Sequence, residues 1–323
     1  MTTENTKYIW SPQEAAQHLI QHMRTWAQET NADKFVIGLS GGKDSTVVAL
    51  ALVLAFGTER VIGVTLPDKQ ISPAIDFTDP PVHRIAAALD IPLVSISIRD
   101  AHHSIAEQLW EGRLCTPVYP TKDMEINLPA RLRMATLFAV GQCTNGRVIN
   151  TSNLSEDIMG YATQFGDNAG CYAPLQGLTV TEVIDMGKYM VEQLNLSKLS
   201  AKRASETRYM LCDMLEIPPS DGLQEKTDEE RFGFTYNALD KVIRQGRGIL
   251  PLDPAWCENT EEDLFKPIAA IAKAAWVRNK FKLDIVRMPG PFVKGNIIVP
   301  GKLELPNYIW YPRTGFLETE YVC

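Results

Sequence analysis

The sequence has no long hydrophobic stretch. Its longest unbroken apolar run is the ten residues Val47–Phe56, about half of what a membrane span requires. No basic segment followed by an apolar core opens the chain, so no secretory signal is expected. No Cys-x-x-Cys pair occurs. The six cysteines (Cys115, Cys143, Cys171, Cys212, Cys257 and Cys323) are widely spaced and offer no zinc framework; they read as reduced thiols of a cytoplasmic protein. Histidine is missing beyond the first third of the chain, so any imidazole chemistry has to come from His18, His22, His83, His102 or His103. Basic residues are in deficit, 32 Lys and Arg against 39 Asp and Glu for a net charge of −7. That argues against a general nucleic-acid binder, whose affinity comes from neutralising phosphates. Repeats and low-complexity tracts are also absent.

What is present is an ordinary globular balance, 45% hydrophobic and 22% charged over 323 residues, enough to bury a substantial core. Four short, continuous, β-branched-rich runs read as strands buried on both faces: Phe35–Leu39, Val61–Leu66, Leu93–Ile98 and Arg147–Thr151. Helical spacing separates them at Pro12–Thr30, Ser45–Phe56, Thr78–Leu89 and Ala101–Trp110. The first of these opens on Ser11 with Glu14 three residues later, a capping box. Strand alternating with helix implies an α/β fold, a doubly wound and mostly parallel sheet with helices on both faces. The second half is richer in helix, at Leu128–Gln142, Thr179–Leu194, Thr235–Arg244 and Glu261–Lys282, while Ile217–Glu230 reads as a loop. Residues 1–285 then form one domain, and the Pro- and Gly-rich residues 286–323 an extended C-terminal tail laid over it.

The strongest chemical signal is FVIGLSGGKDST, a buried strand running into Ser40-Gly41-Gly42-Lys43-Asp44-Ser45 and then into a helix. Glycines let the chain turn with positive φ, and successive N–H groups at a helix start then face one phosphate, aided by the helix dipole. Ser40 and Ser45 add hydroxyl donors. Asp44 would repel phosphate unless Mg²⁺ bridges the two, so its presence predicts a metal. The pattern is neither a Walker A loop nor a dinucleotide fingerprint.

This S-G-G-x-D-S segment resembles the pyrophosphate-binding loop of the N-type ATP pyrophosphatases, with their adenine nucleotide alpha hydrolase-like fold. Together with PARLRM, INTSNLSED and YATQFGD between Ile126 and Asp167, PPSDGL at Pro218–Leu223 and KTDEERFGFTYNALDKVI after it, the sequence is similar to the ammonia-dependent NAD synthetases over residues 10–285. The resemblance implies ATP-dependent adenylation of the deamido-NAD⁺ carboxylate. Amidation by ammonia then gives NAD⁺, AMP and pyrophosphate. It implies that Asp44 and Glu156 bind Mg²⁺ and that Gly38, Leu39 and the Ser40–Ser45 loop hold ATP. Thr151 contacts ATP, Ser220 reaches the phosphates, and Gln70 lies on the adenine side. Arg131, Gln164, Asp167, Cys171 and Lys282 fall at dinucleotide-side positions. A homodimer with a helical interface is implied, and Leu128–Gln142 reads equally as core or interface. No room exists for an added amidase domain, so free ammonia is the expected nitrogen donor.

Three positions depart from the family pattern. Gln164 stands where a Lys is usual, Cys171 where an Asp is usual, and Ile217 where a Lys tends to precede the Pro-Ser pair; Val180 replaces a further Lys. Losing cations near phosphate or carboxylate weakens anion binding unless Lys43, Lys122, Arg131 or Lys282 compensates, each charged hydrogen bond being worth about 1.5–3 kcal/mol. The same adenylation and amidation of a different carboxylate is therefore the alternative, and a non-catalytic ATP-binding homologue the rival from another class.

Overall fold

The computed structural model describes residues 10–68, 81–111, 120–160, 162–163, 165–217, 227–246 and 267. Four strands form one parallel sheet in the order β3-β2-β1-β4. They are β1 (Lys34–Gly38), β2 (Val61–Thr65), β3 (Leu93–Ser95) and β4 (Gly146–Ile149). β1 lies at the centre, with Ile37 in register with Gly63 of β2 and with Ile149 of β4. The α/β doubly wound reading therefore holds, with each strand within a few residues of its expected run.

β1 is buried on both faces. Phe35 and Ile37 join the larger core, whereas Val36 faces the opposite cluster with Val64, Leu66 and Ile98. That alternation explains why the run is apolar throughout rather than at every second residue. On the first face pack α1 (Pro12–Glu29), α2 (Lys43–Phe56) and α7 (Val180–Glu192), together with α8 (Ala201–Glu216). α5 (Lys122–Thr144) covers the second face, supplying Leu132, Leu137 and Val140 beside β1 and β2. α3 (Pro81–Ala88) and α4 (Arg99–Glu111) complete the first half.

A third, smaller core joins α6 (Leu154–Met159) and α7 to α10 (Tyr236–Gly246), through Leu154, Ile158, Val180, Leu239 and Ile243. A buried polar knot ties the same helices. Ser155 Oγ donates to Asp240 at 2.6 Å, and the Thr181 amide donates to the other Asp240 oxygen at 2.8 Å.

Several elements differ from the sequence reading. α5 begins six residues before Leu128, capped by Thr121, and carries Pro129 in its interior, where a proline removes one helical hydrogen bond. α6, α8 and α9 (Asp228–Phe232) were not anticipated. α9 takes the end of the stretch read as a loop, because Thr227 and Glu230 close a capping box there. The expected helix Glu261–Lys282 and the 286–323 tail lie outside the described residues, apart from residue 267. No helix among the described residues is long and apolar enough to cross a membrane.

Candidate active site

The turn between β1 and α2 sits at the carboxyl end of the central strand, where order reverses between β1 and β4. In open α/β sheets this is where ligands gather. Gly41 holds φ +85°, and a side chain on it would also press on Pro81, 3.3 Å from the added Cβ. Gly42 caps α2 with no side-chain hydrogen bond of its own, so the amides that follow are left for another acceptor. Ser40 and Ser45 brace the turn. Their hydroxyls lie 3.2 Å apart, the Gly42 amide donates to Ser40 Oγ at 3.2 Å, and Ser45 Oγ donates to the Gly42 carbonyl at 3.0 Å. The result is a rigid, positively polarised pocket for an anion.

The acidic pair predicted from the sequence is brought together by a residue the sequence reading missed. Asn153, fully buried, donates from Nδ2 to Asp44 Oδ1 at 3.1 Å. The same side chain caps α6, accepting from the Glu156 amide at 3.0 Å, while Glu156 Oε2 accepts from the Asn153 amide at 3.4 Å. One asparagine thus fixes both acids. Its signal was present as N-L-S-E, an N-cap followed three residues later by Glu.

Lys43 is the second anchor, expected in the ATP loop but not as the partner of the acids. It is only 5% exposed, ion-paired to Asp44 Oδ2 at 2.9 Å, with its ammonium 5.8 Å from the centre of the Tyr236 ring. Burial works against its charge, but Asp44, Glu156 and Asp228 outweigh that and raise its pKa. Burial, reinforced by the Asp44 charge, pushes the Glu156 carboxyl up to about 8, with Lys43 pulling the other way. The raised Glu156 pKa means that the pair holds a proton rather than two full negative charges until a second cation arrives, and hard oxygen donors of this kind suit Mg²⁺ completed by phosphate oxygens. Among the described residues no cluster of three or more potential metal-binding side chains occurs, so the protein alone would supply only part of such a shell.

A cavity of about 760 Å³ opens beside the turn, large enough for a nucleotide-sized ligand. Gly38, Leu39, Ser40 and Thr151, assigned to ATP from the sequence, line it, and so does Asp167, assigned to the dinucleotide side. Asn150 holds the loop that carries Asp167, donating to the Asp167 carbonyl at 2.7 Å. Gly170 passes so close to Asn150 that an added Cβ would lie 2.9 Å from its backbone nitrogen. The Asp167 side chain accepts from the Thr163 amide at 2.7 Å. Although Asp167 presents surface to the cavity, the protein around its carboxyl desolvates it and raises its pKa, against the hydrogen bonds from Thr163.

Of the two α5 arginines, Arg133 faces the cavity and anchors its Nε on the Leu66 carbonyl at 3.1 Å. Arg131 lies on the exposed side of α5, and Cys171 is exposed with its amide bonded to the Val148 carbonyl. Ile217 ends α8 at 52% exposure, and Lys122 stands exposed at the start of α5. Gln70, Gln164, Ser220 and Lys282 lie outside the described residues.

A family model described as NAD synthase matches residues 15–282. The chain belongs to the NAD synthase family. It is 32% identical over 239 residues to an NH(3)-dependent NAD(+) synthetase of Methanocaldococcus jannaschii, covering 73% of this chain and 83% of that one. Against the enzyme of the same name from Carboxydothermus hydrogenoformans it is 31% identical over 237 residues, covering 73% and 87%. Among solved structures it resembles an NMN synthetase from Francisella tularensis, with TM-score 0.63 and 28% identity over 87% of this chain and 99% of that one. An NH3-dependent NAD synthetase from Campylobacter jejuni shares the fold at TM-score 0.56 and 22% identity, covering 86% and 99%. Family membership makes the chain a ligase that forms carbon–nitrogen bonds with ATP.

Proposed function

We propose that this NAD synthase family member activates the nicotinate carboxylate of deamido-NAD⁺ as an acyl adenylate and amidates it with free ammonia. The observation that carries the reading is the uncapped Gly41–Ser45 turn at the end of β1, with Asp44 and Glu156 tied beside it by Asn153. In the first step a carboxylate oxygen attacks the α-phosphorus of ATP and the bond to pyrophosphate breaks. In the second, ammonia adds to the acyl carbon, AMP departs with that oxygen, and a proton is lost. The chain supplies positioning and charge rather than a nucleophile. The turn amides and the Ser40 and Ser45 hydroxyls hold the β- and γ-phosphates. Thr151 meets the nucleotide from the end of β4, Gln70 approaches the adenine, and Ser220 reaches the phosphates. A magnesium ion held by Asp44 and Glu156 would neutralise the charge on the departing pyrophosphate.

On the acid side, Arg131, Gln164, Asp167, Cys171 and Lys282 take the dinucleotide. The working unit is a homodimer built on α5, where Arg131, Ala135, Ala139 and Cys143 recur every fourth residue on the exposed side. Nicotinate mononucleotide is a second reading. The likeness to the Francisella NMN synthetase supports it, as does the loss of cations at Gln164 and Ile217, since a smaller acid carries fewer phosphates to neutralise.

Incubation with ATP, Mg²⁺ and ammonium, offering deamido-NAD⁺ and nicotinate mononucleotide separately, tests both. The first reading expects amide and AMP in equal amounts with deamido-NAD⁺. Turnover of the mononucleotide alone establishes the second. AMP with neither acid would reject both, and an equal rate with glutamine in place of ammonium would reject free ammonia as the donor.

A further inference from the structure

The cavity is lined by Asp68, whose carboxylate pairs with His102 behind it, and the adenylation scheme uses neither side chain. Asp68 lies just past the end of β2 and lines the cavity; His102 stands in the first turns of α4. His102 Nδ1 is 2.9 Å from one Asp68 carboxylate oxygen and 3.1 Å from the other. Both residues are less than one-fifth exposed, His102 at 19% and Asp68 at 18%. A carboxylate only accepts, so Nδ1 is the donor and spans both oxygens. Each oxygen keeps a further lone pair, and among the described residues no second hydrogen-bond donor takes it. Arg133, held on the Leu66 carbonyl, contributes a positive field at Asp68 without being its hydrogen-bond partner.

A carboxylate fixed through both oxygens, on a residue that lines a nucleotide-sized cavity and with no second donor among the described residues, has a specific chemical match. Two vicinal hydroxyls donate to it in parallel, which one hydroxyl or an amide cannot do. The position agrees with a general feature of nucleotide sites on parallel sheets: an acid at the end of the second strand accepts from ribose hydroxyls. The cavity also includes Gly38 and Leu39 at the end of β1 and Ser40, which opens the phosphate turn, so a nucleotide anchored in that turn by its phosphates has space for its sugar beside it.

We propose that Asp68 binds the 2′,3′-diol of the ATP ribose and that His102 is a positioning residue that orients the carboxylate. The inference rests on the reading of the turn as the ATP phosphate site and adds a sugar-specificity determinant to it. It gives α4, which carries none of the site residues that the family resemblance implies, and the end of β2 a role in choosing ribonucleotide over deoxyribonucleotide.

The test is equilibrium binding of Mg-ATP, Mg-2′-deoxy-ATP and Mg-3′-deoxy-ATP to the full chain by calorimetry. Wild type should bind ATP roughly 10- to 100-fold more tightly than either deoxy analogue, the range for a hydrogen bond to a charged group. Asp68→Asn should lose that preference while still binding 2′-deoxy-ATP as wild type does, which also shows that the variant is folded. His102→Phe should lose most of the preference, and His102→Gln, which restores an N–H donor, should regain part of it. Wild-type binding of ATP and both analogues with equal affinity overturns the assignment while leaving the phosphate site standing. Undiminished discrimination in Asp68→Asn overturns it as well. Failure of ATP itself to bind wild type overturns the phosphate reading along with it.

Discussion

Lys43 is the residue whose environment departs furthest from what its type suggests. A lysine in a strand-to-helix turn is ordinarily solvated, yet here it is buried beside Asp44 and over Tyr236. The physical reason is the direct ion pair with Asp44, to which the Glu156 and Asp228 carboxyls add. Lys43→Met should therefore destabilise the metal-free protein by about 3 kcal/mol, the scale for stripping one partner from a buried ion pair. Mg²⁺ should restore a large part of that loss. Thermal unfolding with and without Mg²⁺ measures both, and an unchanged transition would refute the compensating role. Asp44→Asn acts differently. It retains the acceptor for Asn153 but removes the charge from the metal position and leaves Lys43 buried without its ion-pair partner, so turnover should fall by on the order of 10²–10³-fold and the metal-free protein should also lose about 3 kcal/mol of stability. Near-normal AMP production by that variant would reject the assignment of Asp44.

At the scale of elements, α6 matters beyond its six residues because it carries Glu156 and its first turn is tied down twice. Asn153 fixes its start, while Ser155 is bonded to Asp240 of α10. Burial pushes the Asp240 carboxyl up to about 6 from an ordinary 3.8, against the hydrogen bonds from Ser155 and Thr181. A folded-state pKa above the unfolded one means that the folded protein holds this proton more tightly. The stabilisation is complete below the unfolded pKa and is lost as pH rises through 6, on the order of 2–3 kcal/mol across that window. Asp240→Asn, which cannot titrate, should remove this component. Urea unfolding of wild type and variant at pH 4.5 and pH 7 measures it, and an identical pH dependence in both would contradict the buried-acid account.

α5 offers the complementary test. Its exposed row of Ala135, Ala139 and Cys143 presents only small side chains, so a second helix can approach it closely. An arginine in the middle of that row adds bulk and charge, so Ala139→Arg should shift light-scattering mass from dimer to monomer. A dimer unaffected by that change would place the interface elsewhere. The same elements show how far sequence reasoning reached. The strands and α1, α2, α7 and α10 were legible because their apolar spacing matches their burial. α8 was not, since only Ala204, Leu211, Met214 and Leu215 are buried in a sixteen-residue polar helix. α6 is too short for periodicity to register, and only its capping pair marks it.

For the whole molecule, the parallel sheet does the organising. It places the ends of β1, β2 and β4 around one cavity, and the loops leaving those ends deliver the turn, Asp68 and Thr151 to it. The motif residues of the turn and of β4 could be read from sequence because each follows a buried strand. The pairing of Asp68 with His102, thirty-four positions apart, and the choice of Arg133 over Arg131 as the cavity-facing arginine follow only from how α4 and α5 pack on the sheet. The proposed chemistry is adenylation of a carboxylate, and the lysines that Gln164 and Ile217 replace in the sequence are the reason that two acids are tested for it.

That chemistry has a direct signature. If the carboxylate is activated as an adenylate, one of its own oxygens must leave with AMP when ammonia displaces it. With ¹⁸O in the carboxylate of the accepted substrate, mass spectrometry should find one labelled oxygen in every AMP and none in the pyrophosphate. Unlabelled AMP, or label appearing in inorganic phosphate alongside ADP, would contradict the account.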